Sequence, residues 1–164
     1  MGWRGMYRPG MRAYIIPQVA GLLLAASAFL PWVIVGDISL SGVPDVSGLW
    51  VVALGALATV LATLSLITRK NSRHPLLLIG LAALGIVFLS WRLMPRAVAD
   101  RALRRSQARA IVENAPVDAR PVALVGGGLY LGLAAACALV GFGLTIVVRR
   151  AARPYAIDPD DDVE

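Results

Sequence analysis

Residues 46–67, VSGLWVVALGALATVLATLSLI, contain no Asp, Glu, Lys, Arg or His, and the next seven residues, Thr68-Arg69-Lys70-Asn71-Ser72-Arg73-His74, contain four. As a helix rising 1.5 Å per residue, the apolar run is about 33 Å long, which matches the roughly 30 Å hydrocarbon core of a bilayer. A core helix of a soluble domain turns one face to water and carries charge on that face. This run has no such face. It is bounded by charge only at its ends, as a membrane span is.

The same reading extends in both directions. No Asp, Glu, Lys, Arg or His lies between Ala13 and Gly36, between Pro75 and Trp91, or between Pro121 and Val148. Composition agrees: 58% of the 164 residues are hydrophobic and 16% charged, against about 45–50% and 25% in soluble domains. The sequence therefore predicts an all-α membrane protein with four transmembrane helices, at about 14–35, 46–67, 76–94 and 122–148, within a domain 14–148. A short N-terminal segment, 1–13, precedes it, and a tail, 149–164, first basic and then acidic, follows. The first run continues past Ala26-Ser27-Ala28 to Val35, too far for the apolar region of a cleaved signal, so it reads as an anchor.

Proline and glycine set the expected ends. Pro17 falls in the first turn of the first helix, where its missing N–H costs nothing, and Pro31 near its end. Pro75 opens the third helix and Pro95 ends it. The fourth run, at 27 residues or about 40 Å, is longer than a bilayer requires. Counting back about 20 residues from Arg149-Arg150 reaches Leu129, which leaves Gly126-Gly127-Gly128 at the outer interface, since glycines are poor helix-interior residues.

Orientation follows from cation placement. With the N-terminus cytoplasmic, Arg4, Arg8, Arg12, Arg69, Lys70, Arg73, Arg149, Arg150 and Arg153 are inside. Arg96, Arg101, Arg104, Arg105, Arg109 and Arg120 are outside, with Arg92 at the boundary and able to snorkel outward. The first connection, 36–45, has no Lys or Arg. Trp32, Trp50, Trp91 and Tyr130 then fall at the outer face as aromatic interface anchors. The expected location is the cell membrane, with both termini cytoplasmic.

The outer connection, 95–120, is rich in Ala, Arg, Leu and Gln from Arg96 to Asn114, and predicts a short extramembrane helix between the third and fourth spans. At 100° per residue, Arg101, Arg104, Arg105 and Arg109 share an arc of about 140°, with Ala99, Leu103 and Ala110 opposite. Guanidinium groups on such an arc suit a partner's carboxylates or anionic lipid headgroups. Two ladders of small residues serve close helix packing: Gly128, Gly132 and Ala136 in the fourth helix, and Gly55, Thr59 and Thr63 in the second.

Catalytic chemistry finds no support. His74 is the one histidine and Cys137 the one cysteine, so neither a metal set nor a disulfide within the chain can be assembled from them. No carboxylate lies within a span. Ser27, Ser65 and Ser90 have no base beside them, and Gly126-Gly127-Gly128 lacks the pattern of a phosphate loop. No cofactor is implied. The net charge of +6 comes from membrane-flanking clusters rather than from a nucleic-acid surface.

Phe29-Leu30-Pro31-Trp32-Val33 at the end of the first helix, the basic second loop and Gly126-Gly127-Gly128-Leu129-Tyr130 opening the fourth resemble small four-span membrane proteins of high-GC bacteria. That resemblance implies the topology and carries no assigned activity. The expected function is therefore non-enzymatic: an accessory or assembly subunit of a larger membrane complex, in contact with lipids and other subunits. A small transporter or channel, possible as an oligomer, and a lipid-binding or lipid-handling protein are the alternatives.

Overall fold

A computed structural model describes residues 12–36, 38–68, 73–114, 116 and 121–151, without the side chains of 12, 73 and 146–151. The side chains assigned above to the inner face, Arg120 and the acidic tail therefore lie outside the described residues. The structure is mostly helical. A 3₁₀ turn, Arg12–Tyr14, leads into α1 (Ile15–Ser27), then β1 (Pro31–Val35) and β2 (Ile38–Ser41). These are followed by α2 (Val46–Thr68), α3 (Arg73–Glu113), β3 (Ala123–Val125) and α4 (Gly127–Ala151).

The four helices form a ring in which α1 packs on α2 and α4, and α3 packs on α4 and α2. The core runs along its axis, through Leu24, Val51, Ala58, Leu76, Ala83, Val87, Leu129 and Leu139. The outer surface of the ring is apolar as well, with Leu22, Val60, Leu78, Phe88 and Leu144 among its exposed side chains. Helices α2, α3 and α4 are long and apolar enough to cross a membrane, whereas α1 has 13 residues.

Three departures from the sequence reading shape one end of this ring. The first helix ends at Ser27 and does not reach Val35. In a longer helix the Ser27 carbonyl would accept from the backbone N–H of residue 31, but residue 31 is proline and has none. The carbonyl is taken instead by the Leu30 N–H at 3.3 Å and by the Trp32 indole Nε1–H at 2.8 Å. The chain then becomes the central strand of a three-stranded sheet ordered β2-β1-β3, antiparallel throughout. An irregularity between Pro31 and Val33 shifts the β1–β2 register, and both Trp32 and Val33 are buried.

The second departure is Pro95, which lies inside α3 rather than ending it, so the outer helix expected as a separate element is the continuation of a single 41-residue helix. A proline in mid-helix removes one backbone donor and crowds the carbonyl four residues back, yet the flanking residues are strong helix formers and carry the helix through. The third is at the fourth segment, where 123–125 form strand β3 and the helix begins only at Gly127. The Gly126 N–H donates to the Trp32 carbonyl at 2.8 Å. The sheet thus joins the α1–α2 connection to the α3–α4 connection over one end of the ring.

Candidate functional site

At the sheet end, Trp32 is the largest fully buried side chain among the described residues, which corrects its expected role as an interface anchor. Its ring lies between two glycines. A Cβ placed on Gly42 would fall 2.5 Å from Trp32 Cε2, and one on Gly128 would fall 2.8 Å from Trp32 Cδ1. The other three aromatics named with it differ in exposure. Trp50 is 58% and Tyr130 57% exposed, while Trp91 is half-buried with its ring centroid 5.8 Å from that of Phe88.

The small-residue ladders face neighbouring helices of the same chain. A Cβ on Gly55 would meet the Ala25 backbone nitrogen at 2.6 Å, and one on Gly21 would meet Thr59 Oγ1 at 2.6 Å, so α1 and α2 touch backbone to backbone. Gly132 faces Ser27 Oγ and Val87, and Ala136 is fully buried. Hydroxyls on these helices donate to backbone carbonyls of their own helix: Thr59 to Gly55, Thr63 to Thr59, Ser65 to Leu61, Ser27 to Leu24 and the exposed Thr145 to Phe142, at 2.7–2.9 Å. Thr63 also accepts from Gln18 Nε2 across the α1–α2 seam at 3.4 Å.

The arginines lie on the part of α3 beyond Pro95. Arg101, Arg104, Arg105 and Arg109 are all exposed, while opposite them Ala99 is buried and Leu103 and Ala110 are half-buried. Beyond them Ile111 and Val112 are each 84% exposed, although both are large and apolar. The seam between α2 and α3 at this end is open. A groove of about 400 Å³ runs between Val46, Ser47 and Trp50 on one side and Ile86, Leu89, Ser90, Leu93, Met94 and Ala97 on the other.

Among the described residues no three His, Cys, Asp or Glu side chains come together. His74 is exposed in the first turn of α3, and Cys137 is exposed on α4. Comparison of the chain with protein-family models, with curated proteins and with solved structures finds no match.

The sheet and the buried tryptophan were absent from the sequence reading, although a signal for the hairpin was present. Gly36-Asp37 separates Trp32-Val33-Ile34-Val35 from Ile38, and a two-residue Gly-Asp link between such runs is a hairpin pattern. Gly36 has φ +57°, a left-handed backbone that suits glycine. The apolar character of the whole stretch masked that signal.

Proposed function

We propose that this chain is a non-enzymatic integral membrane protein that crosses the bilayer four times, with both termini cytoplasmic, and works by association, as an accessory or assembly subunit of a larger membrane complex. The observation that carries this reading is the outer part of α3. It holds Arg105, Arg109 and Val112 on an arc of about 60°, all exposed. A basic stripe ending in a bare valine suits a partner surface that is acidic and apolar in the same order.

Four crossings require α1 to count as one, although 13 residues give only about 20 Å of helix. The 3₁₀ turn before it and the sheet after it supply the remaining depth. Non-helical backbone is tolerated at membrane depth where its polar groups are paired within protein, and β1 has a partner strand on each side. A pore or coupled transporter is the weaker reading. Residues 46–67, 76–90 and 122–148 contain no Asp, Glu, Lys, Arg or His, whereas a coupled ion path needs ionisable or strongly polar groups at mid-depth.

Reporter fusions after Asn71 and Asn114 test the topology and should read cytoplasmic and external. Mild-detergent purification of the tagged chain from its native membrane, followed by mass spectrometry, tests association. A stoichiometric companion that is lost when Arg105, Arg109 and Val112 are changed together to Ser is the expected result. Recovery as a lone monomer or homo-oligomer would overturn the subunit reading.

A further inference from the structure

We infer that the open seam between α2 and α3 is a binding site for one anionic phospholipid, with an acyl chain in the groove and the phosphate on Arg101 and Arg104. The inference rests on the four-crossing topology, which puts the sheet end of the ring at a bilayer surface, and it is independent of any protein partner.

The groove has the dimensions of a chain in one leaflet. Along α3 its lining extends from Ile86 to Ala97, about 16 Å at 1.5 Å per residue, and half of a 30 Å hydrocarbon core is about 15 Å. Its volume of about 400 Å³ falls within the range of small-ligand sites, roughly 300–1,000 Å³. Apart from Ser47, Ser90 and the Trp50 indole N–H, its lining side chains are apolar. Trp50, more than half exposed, flanks it at the level where tryptophan prefers to sit, between hydrocarbon and headgroups.

The charge stands at the end of the same row. On a regular helix the α3 side chains that line the groove occupy an arc of about 140°, and Arg101 and Arg104 both fall inside that arc. They lie about 6 Å and 10 Å beyond Ala97 along the axis, where a headgroup would emerge from a chain held in the groove. Arg109, by the same count, lies about 60° outside the arc. An apolar channel without the arginines would take any lipid, and arginines without the channel would attract any anion. Their alignment on one helix face selects a molecule that has both parts.

Two carboxylates lie near this end. Asp45 is exposed, one residue before Val46 in the lining. Asp100 falls inside the same arc by the same count, about 4.5 Å beyond Ala97, but it is half-buried and already engaged in an interaction, so the two exposed arginines beyond it leave the row with net positive charge. Neither lines the groove.

The test uses the full chain, delipidated in detergent and titrated with phosphatidylglycerol or with phosphatidylcholine of the same acyl chains, with retention read by native mass spectrometry. The expected result is one phosphatidylglycerol per chain, retained at a concentration roughly tenfold or more below that for phosphatidylcholine. R101Q/R104Q should abolish that preference and leave weak, equal retention of both lipids, whereas R109Q, the same loss of charge per site, should keep it. Ala97→Trp, which fills the groove, should lose both lipids. Each variant's thermal midpoint, expected unchanged, shows that it is folded. Equal retention of the two lipids by the unaltered chain, a loss in R109Q as large as in R101Q/R104Q, or full retention by Ala97→Trp would each overturn the site. Because lipid is added in detergent, a failed topology assay or an absent partner leaves this result readable on its own.

Discussion

The α1–α2 seam and the α2–α3 seam are built from the same helix and end differently. Against α1, helix α2 presents Gly55 and Thr59, and α1 answers with Gly21 and Ala25, so the two backbones touch. Against α3, at the sheet end, α2 presents Val46, Ser47 and Trp50, and the facing residues are Ile86, Leu89, Ser90, Leu93 and Met94. No glycine lies in either of these rows, and a groove is left between them. Helices in lipid gain little from burying apolar surface against one another and associate through close van der Waals contact. A seam closed by glycines is therefore a structural joint, and a seam without them is open to a ligand.

The largest expected effect comes from removing the side chain that closes the ring at the sheet end. Trp32→Ala should destabilise the protein by about 3–5 kcal/mol, seen as a lowered thermal midpoint in detergent and a broadened elution profile. Trp32 touches Gly42, Gly128 and the Ser27 carbonyl together, so an unchanged midpoint would mean that the sheet does not hold the ring together. Next, Gly55→Ala should cost about 1–3 kcal/mol by forcing an overpacked seam apart. Paired with Gly21→Ala it should cost less than the sum of the two, because the first substitution already separates the helices. Additive costs in that cycle would show that α1 and α2 are not joined at these positions.

On the open side, Pro95→Ala should stabilise α3 by about 1–3 kcal/mol through the regained backbone donor and the relieved clash with the Trp91 carbonyl. A fall in midpoint would show that the proline itself shapes this end. The smallest effect is expected at Gly141, where an added Cβ would meet nothing within 4 Å. Gly141→Ala should be neutral or stabilise by up to about 1 kcal/mol, and so separates glycines that serve a seam from one that does not.

How far the sequence reached can be judged at particular residues. The apolar runs at 46–67 and 76–94 appear within α2 and α3, because length and lack of charge depend on local composition. The expected break at Gly126-Gly127-Gly128 is met only at Gly126, because α4 begins at Gly127 and contains both Gly127 and Gly128; at Gly128 the close approach of the Ser27 carbonyl and the Trp32 ring outweighs the low helix propensity of glycine. The arginine arc was legible because α3 stays regular there, and Ala99 opposite it is buried. Trp32 was misplaced because an indole can serve a wet interface or a dry core, and the choice depends on which backbones close around it. The α2–α3 groove was not legible, since it is an absence of contact between segments about 40 positions apart in the chain.

By itself, then, the sequence determined the helical, apolar character of most of the chain and the place of its small residues and its cations, because each depends on side-chain chemistry and short-range periodicity. Only the tertiary structure decided that Pro31 turns the first segment into a strand while Pro95 leaves the third a helix. The same residue type has opposite outcomes because the Ser27 carbonyl finds other donors in Leu30 and Trp32, and the chain beyond finds β2 and β3 to pair with. It also decided which seam closes and which stays open, since the gap between two helices depends on both facing surfaces at once.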